Sequence, residues 1–144
     1  MCSSKRVVLL QGAFDILNSG HVRAFRRAKA QGDYLIVAVN TPQLIADYKQ
    51  RKAILPYKDK KLIIESIRWV DKVVPAHNFS PQQLLEKYHV DVYMIAPEWL
   101  HTKANEIAYM KSKGCKIKMC HNYKGVIRSS DIRRMLLEQA TGSG

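Results

Sequence analysis

Apolar runs of strand length recur along the chain: VVLL at 7–10, YLIVAV at 34–39, KVV at 72–74, DVYMIA at 91–96 and KIKMC at 116–120. The second and fourth are almost unbroken in aliphatic and aromatic residues, the pattern of strands buried on both faces. Between the runs the period becomes helical. Over 20–31 the apolar Val22, Phe25 and Ala28 recur every three residues with arginines opposite, and Gly32 follows where a C′ glycine would close a helix. A second helix is predicted over 58–69, with Leu62, Ile63 and Ile67 facing inward. A third starts at Ser80-Pro81, with serine as N-cap and proline at the first helical position. A fourth covers 102–113, ended by Gly114, and a fifth 129–138. Strands alternating with helices make βαβ units. The expected fold is therefore α/β, a Rossmann-like three-layer α/β/α arrangement on a five-stranded parallel sheet. Residues 1–140 read as one domain, and the closing TGSG at 141–144 as a disordered tail or an appended scar.

A chain of 144 residues can bury a core without disulfides or metal. No apolar run approaches the roughly 18 residues that span a bilayer. The opening MCSSKRVVLL places basic residues before an apolar run, but that run is shorter than the h-region of a signal peptide. Three cysteines, an odd number, without a secretory signal point to free thiols in a reducing, cytoplasmic setting. Cys115 and Cys120, with His121 adjacent, lack the partner set of a metal site and read as small buried hydrophobes, so no metal ligands are assigned.

Charge changes the picture more. The chain carries 24 Lys and Arg against 12 Asp and Glu, a net charge of +12. Such an excess favours anionic partners: nucleotide phosphates, nucleic acid or an anionic membrane. Nucleic-acid binding is the weaker reading, because the RNP, KH and homeodomain patterns are missing and only 8% of residues are aromatic, too few for a stacking array. A membrane partner has no segment to support it.

The chemistry concentrates in QGAFDILNSGHVRAF, residues 11–25. In an open parallel sheet, ligands bind beyond the carboxyl ends of the strands. Here the first strand ends at Gln11-Gly12, and a glycine lets a phosphate or base come close to the backbone. The first helix then opens near Gly20-His21, where unpaired N–H groups and the helix dipole favour an anion. His21 adds a neutral or charged donor. Neither GxGxxG nor GxxxxGK[ST] is present, so the corner is neither a dinucleotide fingerprint nor a P-loop. A purely structural glycine–histidine turn is the competing reading.

The same residues resemble a known family. GAFDILNSGH, followed by RAKAQGDYLIVAVNT, looks like the signature G-x-F-D-x-x-H-x-G-H of the cytidylyltransferase-like nucleotidyltransferases. KQRKAILPYKDKKLIIESIRWVDKVV and GVIRSSDIRR continue the likeness, which covers residues 6–138. The whole-chain likeness is greatest to the glycerol-3-phosphate cytidylyltransferases. The resemblance implies a reaction: a substrate phosphate attacks the α-phosphorus of a nucleoside triphosphate, and pyrophosphate leaves. Catalysis would come from positioning and charge stabilisation. Mg²⁺ would be carried by the nucleotide phosphates. CTP is the preferred nucleotide with ATP possible, and the acceptor is a small phosphorylated alcohol or sugar. A homodimer is expected by the same likeness.

On that model His21 matches the second signature histidine and contacts the α-phosphate. Asn18 stands at the first, where a neutral amide can donate a hydrogen bond but carries no charge; a turn or N-cap role is its alternative. Lys49 and Arg51 match a basic pair in the loop after the second strand, Lys49 as catalytic and Arg51 on the acceptor's phosphate. Lys60 and Arg68, eight residues apart and so on one helix face, would also bind that phosphate; pairing with Asp71 is the other reading for Arg68. Gly12, Ala13, Phe14 and Gly20 form the nucleotide corner. Arg128, Ser129 and Ser130 open the last helix toward the triphosphate, the serines serving equally as N-caps. Trp99 fits a wall beside the base, though APEW at 96–99 departs from the family's GDDW. Asp15 is read as holding the turn. Asn18, Pro97 and the last loop leave open an alternative in which the chain binds nucleotide as a sensor or partner without catalysis.

Overall fold

The computed structural model describes residues 5–49, 52–96, 100–120 and 127–142. Five parallel strands form one sheet in the order β3-β2-β1-β4-β5: β1 is Val7–Gly12, β2 Tyr34–Asn40, β3 Lys72–Ala76, β4 Val92–Ile95 and β5 Lys116–Met119. Helices α1 (Ser19–Lys29), α2 (Pro42–Lys49), α3 (Tyr57–Glu65), α4 (Gln82–Lys87), α5 (Ala104–Ser112) and α6 (Ser129–Gly142) complete the order. The expected Rossmann-like α/β fold on a five-stranded parallel sheet is what the chain forms.

Strands β2 and β4 are buried almost throughout, as their unbroken apolar runs predict, and the middle of β1 is buried between them. One core layer joins Val8, Leu10, Val37 and Val92 to Phe25, Ala28 and Ile64 of α1 and α3. The other joins Leu9, Ile36 and Tyr93 to Leu85 and Met110 of α4 and α5. Pro75 sits in edge strand β3, where a missing N–H is tolerated. The chain builds outward from β1 to β3, then crosses back to lay β4 on the other side of β1. The order reverses between β1 and β4, which opens a crevice at their carboxyl ends.

The structure corrects several sequence expectations. Leu62 and Ile63 are exposed, at 69% and 42%, while Lys60 and Ile64 are buried. The inward stripe of α3 contains a lysine, which disguised its phase. Pro42–Lys49 is a helix, so Lys49 ends α2 rather than lying in a loop. Gly32 is not in the left-handed region; a Cβ there would meet the Arg6 carbonyl oxygen at 2.6 Å, so close packing demands the glycine. Gly114, at φ +86°, does supply the left-handed turn after α5. The last helix continues through Gly142, with the Thr141 hydroxyl donating to the Leu137 carbonyl at 2.9 Å, so the tail does not begin at 141.

Candidate nucleotide-binding site

A cavity of about 430 Å³ opens at the β1/β4 crevice. Its floor is the end of β1. Phe14 adopts φ 48°, unusual for an aromatic residue, and its ring folds back over Gly12, where a Cβ would lie 2.8 Å from the ring tip. The sequence reading left Gly12 open for a ligand; here the closest demand on it comes from Phe14. That ring stands edge-on to His21 at 5.3 Å and to Phe25 at 5.2 Å, which ties the corner to the α1 core.

His21 lies in the first turn of α1. Its Nδ1 accepts the Asn18 backbone N–H at 3.3 Å. A neutral imidazole with an accepting Nδ1 carries its proton on Nε2. Burial lowers the His21 pKa to about 4, so at neutral pH the ring is an uncharged donor. Asn18 is the N-cap of α1. Its Oδ1 accepts the Gly20 N–H at 2.9 Å, and its Nδ2 donates to the Ile16 carbonyl at 2.7 Å and to Ser129 Oγ at 3.4 Å. The side chain thus stitches the N-terminus of α1 to that of α6.

The second wall is the start of α6. The carbonyl of Arg128 accepts the Asp131 and Ile132 N–H groups, and Asp131 Oδ2 accepts the Arg128 N–H at 2.9 Å. Arg128 therefore holds the cap position, and the serines, expected as N-caps, lie in the first turn. Ser129 Oγ donates to the Ile16 carbonyl at 3.2 Å. Arg128, Ser129 and Ser130 line the same cavity as Ala13, Phe14 and His21. Two helix N-termini thus converge on one space, an arrangement that suits a polyanion.

Asp15 holds the corner together, as the sequence suggested. It is 3% exposed, and its Oδ1 accepts the Ile54 and Leu55 N–H groups at 2.8 and 3.2 Å. Its Oδ2 accepts from Arg133 at 3.2 Å, and Lys60 Nζ lies 3.9 Å from Oδ1. Lys60 also donates to the Ala13 carbonyl at 3.0 Å and is wholly buried beneath the corner, outside the cavity lining. Arg68 is elsewhere. Helix α3 ends at Glu65, so the one-face argument from the spacing of 60 and 68 fails, and Arg68 lies on the surface 5.6 Å from the Trp69 ring. Asp71 pairs with Lys29. The Lys49 side chain, Arg51 and Trp99 lie outside what the structure describes.

Sequence reasoning missed a second flank of the cavity: Gln11, Asn40, Tyr48, Phe79, Tyr93 and Lys103. Gln11 and Asn40 did leave a signal, as the polar residues closing the apolar runs VVLLQ and YLIVAVN. Lys103 left none. Among the described residues no group of three His, Cys, Asp or Glu could hold a metal ion. The one carboxylate among the described lining residues is Asp15, already engaged. The donor set of the described lining residues therefore suits an anion.

The cytidylyltransferase-like family model matches residues 9–135. The chain is similar to glycerol-3-phosphate cytidylyltransferase of Bacillus subtilis (strain 168), with 40% identity over 64% of this chain and 71% of the relative. It is 33% identical to the enzyme of that name from Staphylococcus aureus (strain NCTC 8325 / PS 47) over 83% of this chain and 86% of the relative. Mouse (Mus musculus) ethanolamine-phosphate cytidylyltransferase is 30% identical over 90% of this chain but 32% of its own length. Among solved structures, the lipopolysaccharide core biosynthesis protein of Thermoplasma volcanium GSS1 shares the fold, with a TM-score of 0.73 and 21% identity over 84% of this chain and all of that one.

Proposed function

The chain belongs to the cytidylyltransferase-like family and is a nucleotidyltransferase, and we propose that it moves CMP from CTP onto a small phosphorylated alcohol. The observation that carries the reading is the convergence of His21 and the N-termini of α1 and α6 on one cavity. The names of the relatives support CTP over ATP.

In the reaction an oxygen of the acceptor's phosphate forms a bond to the α-phosphorus, and the bond from that phosphorus to the bridging α–β oxygen breaks. Pyrophosphate leaves with that oxygen. No proton transfer to carbon or covalent enzyme intermediate is needed, so the work is positioning and charge stabilisation. The Nε2–H of His21 donates to a non-bridging α-phosphate oxygen. The N–H groups of Ser129 and Ser130, with Arg128, take the β- and γ-phosphates. Asn18 positions both helix ends, and Lys60 and Asp15 fix the floor. The nucleotide enters as its Mg²⁺ complex, the ion held by phosphate oxygens. On the family likeness, Lys49 is assigned to catalysis, Arg51 to the acceptor's phosphate and Trp99 to a wall beside the base.

No described helix is long and apolar enough to cross a membrane. Cys115 and Cys120 are free thiols, which suits a reducing cytoplasm. A homodimer is proposed on the family likeness, and light scattering on the purified chain tests it.

The deciding experiment is pyrophosphate release from CTP, ATP, GTP and UTP with a panel of phosphorylated alcohols and sugars. Release with CTP that falls by about 10²–10³-fold in His21→Ala, the scale of losing one oxyanion donor, supports the reading. No release with any pair, or an unaffected His21→Ala, sinks it.

A further inference from the structure

The cavity's second flank is a linked chain of side chains. Gln11 Nε2 donates to Asn40 Oδ1 and to the Asn78 carbonyl, both at 3.0 Å, and Asn40 Nδ2 donates to the Tyr48 hydroxyl at 2.9 Å. Two acceptors on Gln11 Nε2 fix the orientation of its amide. Gln11 Oε1 is then left buried, with no hydrogen-bond partner among the described residues. A buried acceptor without a protein donor is unfavourable and calls for a donor from a ligand. Across this flank Lys103 is 5% exposed, its Nζ 4.3 Å from the centre of the Phe79 ring and 3.1 Å from the Tyr93 hydroxyl, to which it donates. Phe79 in turn packs on Tyr48 at 5.1 Å. Burial brings Lys103 down to about 8, offset in part by Glu106, so it is still mainly a cation at neutral pH.

The flank therefore offers one unmet acceptor and one cationic donor within a wall of three aromatic side chains, Tyr48, Phe79 and Tyr93. A hydroxyl group answers both, because it donates and accepts. An ammonium group only donates. It satisfies Gln11 but meets like charge at Lys103, and the one carboxylate among the described lining residues, Asp15, is already engaged by Arg133 and by backbone N–H groups. Resting on the nucleotidyltransferase reading above, we infer that this flank holds the carbon end of the acceptor and selects an uncharged polyol phosphate over an amino-alcohol phosphate. Gln11 and Lys103 are its specificity-determining residues. The nucleotide takes the opposite flank, along Met94–Ile95 and Cys120 toward α6.

The test is binding without turnover: calorimetry of glycerol 3-phosphate and of phosphoethanolamine to the full chain, in the absence of nucleotide. Wild type is expected to bind glycerol 3-phosphate at least ~30-fold more tightly, since a site built around a hydroxyl rejects analogues lacking it. Gln11→Glu should narrow that ratio by about tenfold, and Lys103→Met should weaken glycerol 3-phosphate by about tenfold, each a single charged contact. Equal wild-type binding of the two, or binding of neither, overturns the inference, and neither result depends on a variant folding. Variants that alter CTP binding while leaving acceptor preference intact also overturn it. A chain that releases no pyrophosphate yet discriminates the two acceptors refutes the enzymatic reading and leaves this one standing.

Discussion

Asp15→Asn should destabilise the protein by about 3 kcal/mol, and the structure says why. The carboxylate is 3% exposed, and Lys60, 3.9 Å away, is wholly buried. Removing one partner of a buried pair costs ~3–5 kcal/mol, because the remaining charge stays out of water. The lower end applies here for two reasons. An asparagine oxygen can still accept the Ile54 and Leu55 N–H groups, and Lys60 keeps its 3.0 Å bond to the Ala13 carbonyl. The partly exposed Arg133 adds less, since pairs near solvent contribute about 1 kcal/mol or below. At roughly 2–4 °C per kcal/mol for a chain of this size, the melting temperature should fall by about 10 °C. Urea unfolding of the variant gives the free energy directly. Lys60→Met should cost a similar amount alone, while the double variant should lose much less than the sum, since the stranded charge has gone. A loss under ~1 kcal/mol for Asp15→Asn, or additive losses in the double variant, would refute the argument that this pair is coupled in a low-dielectric floor.

Three further outcomes are expected. His21 is depressed to about 4 from 6.5, so stability is full above about 6.5 and falls as pH drops toward 4, where the unfolded chain binds a proton that the native ring refuses; His21→Gln should flatten the pH dependence of urea unfolding in that window, by up to about 3 kcal/mol. Gly32→Ala should cost ~1–3 kcal/mol in urea unfolding, because its Cβ would press on the backbone oxygen of Arg6 at 2.6 Å, which cannot swing aside. Asn18→Ala should cost about 1 kcal/mol as a lost N-cap; it should also weaken CTP binding, since Asn18 bridges to Ser129, which lines the cavity. Unchanged CTP affinity in a folded Asn18→Ala would show that the bridge between the two helix ends is without consequence.

The alternation of apolar runs and helical periods was enough to determine the α/β class, the five parallel strands and the corner after β1, because burial on both faces leaves a one-dimensional trace in composition. The signature around His21 was equally legible, since its parts lie within a dozen residues and act through one turn. What escaped is what depends on distant segments meeting. Lys60 sits in an otherwise apolar stripe, and only the approach of Asp15 and the Ala13 carbonyl makes a buried lysine tolerable there. Arg68 shares a face with Lys60 on paper, but α3 stops at Glu65. Gly32 looked like a helix stop and proves to be a packing contact with Arg6, 26 residues earlier. The polar flank joins Gln11, Asn40, Tyr48, Phe79 and Lys103 from five separate segments. The sequence by itself determined the sheet and the turn from β1 into α1, through local pattern. Tertiary structure alone decided which charges are buried and which donors face one another, because those depend on strand order and on where each helix ends.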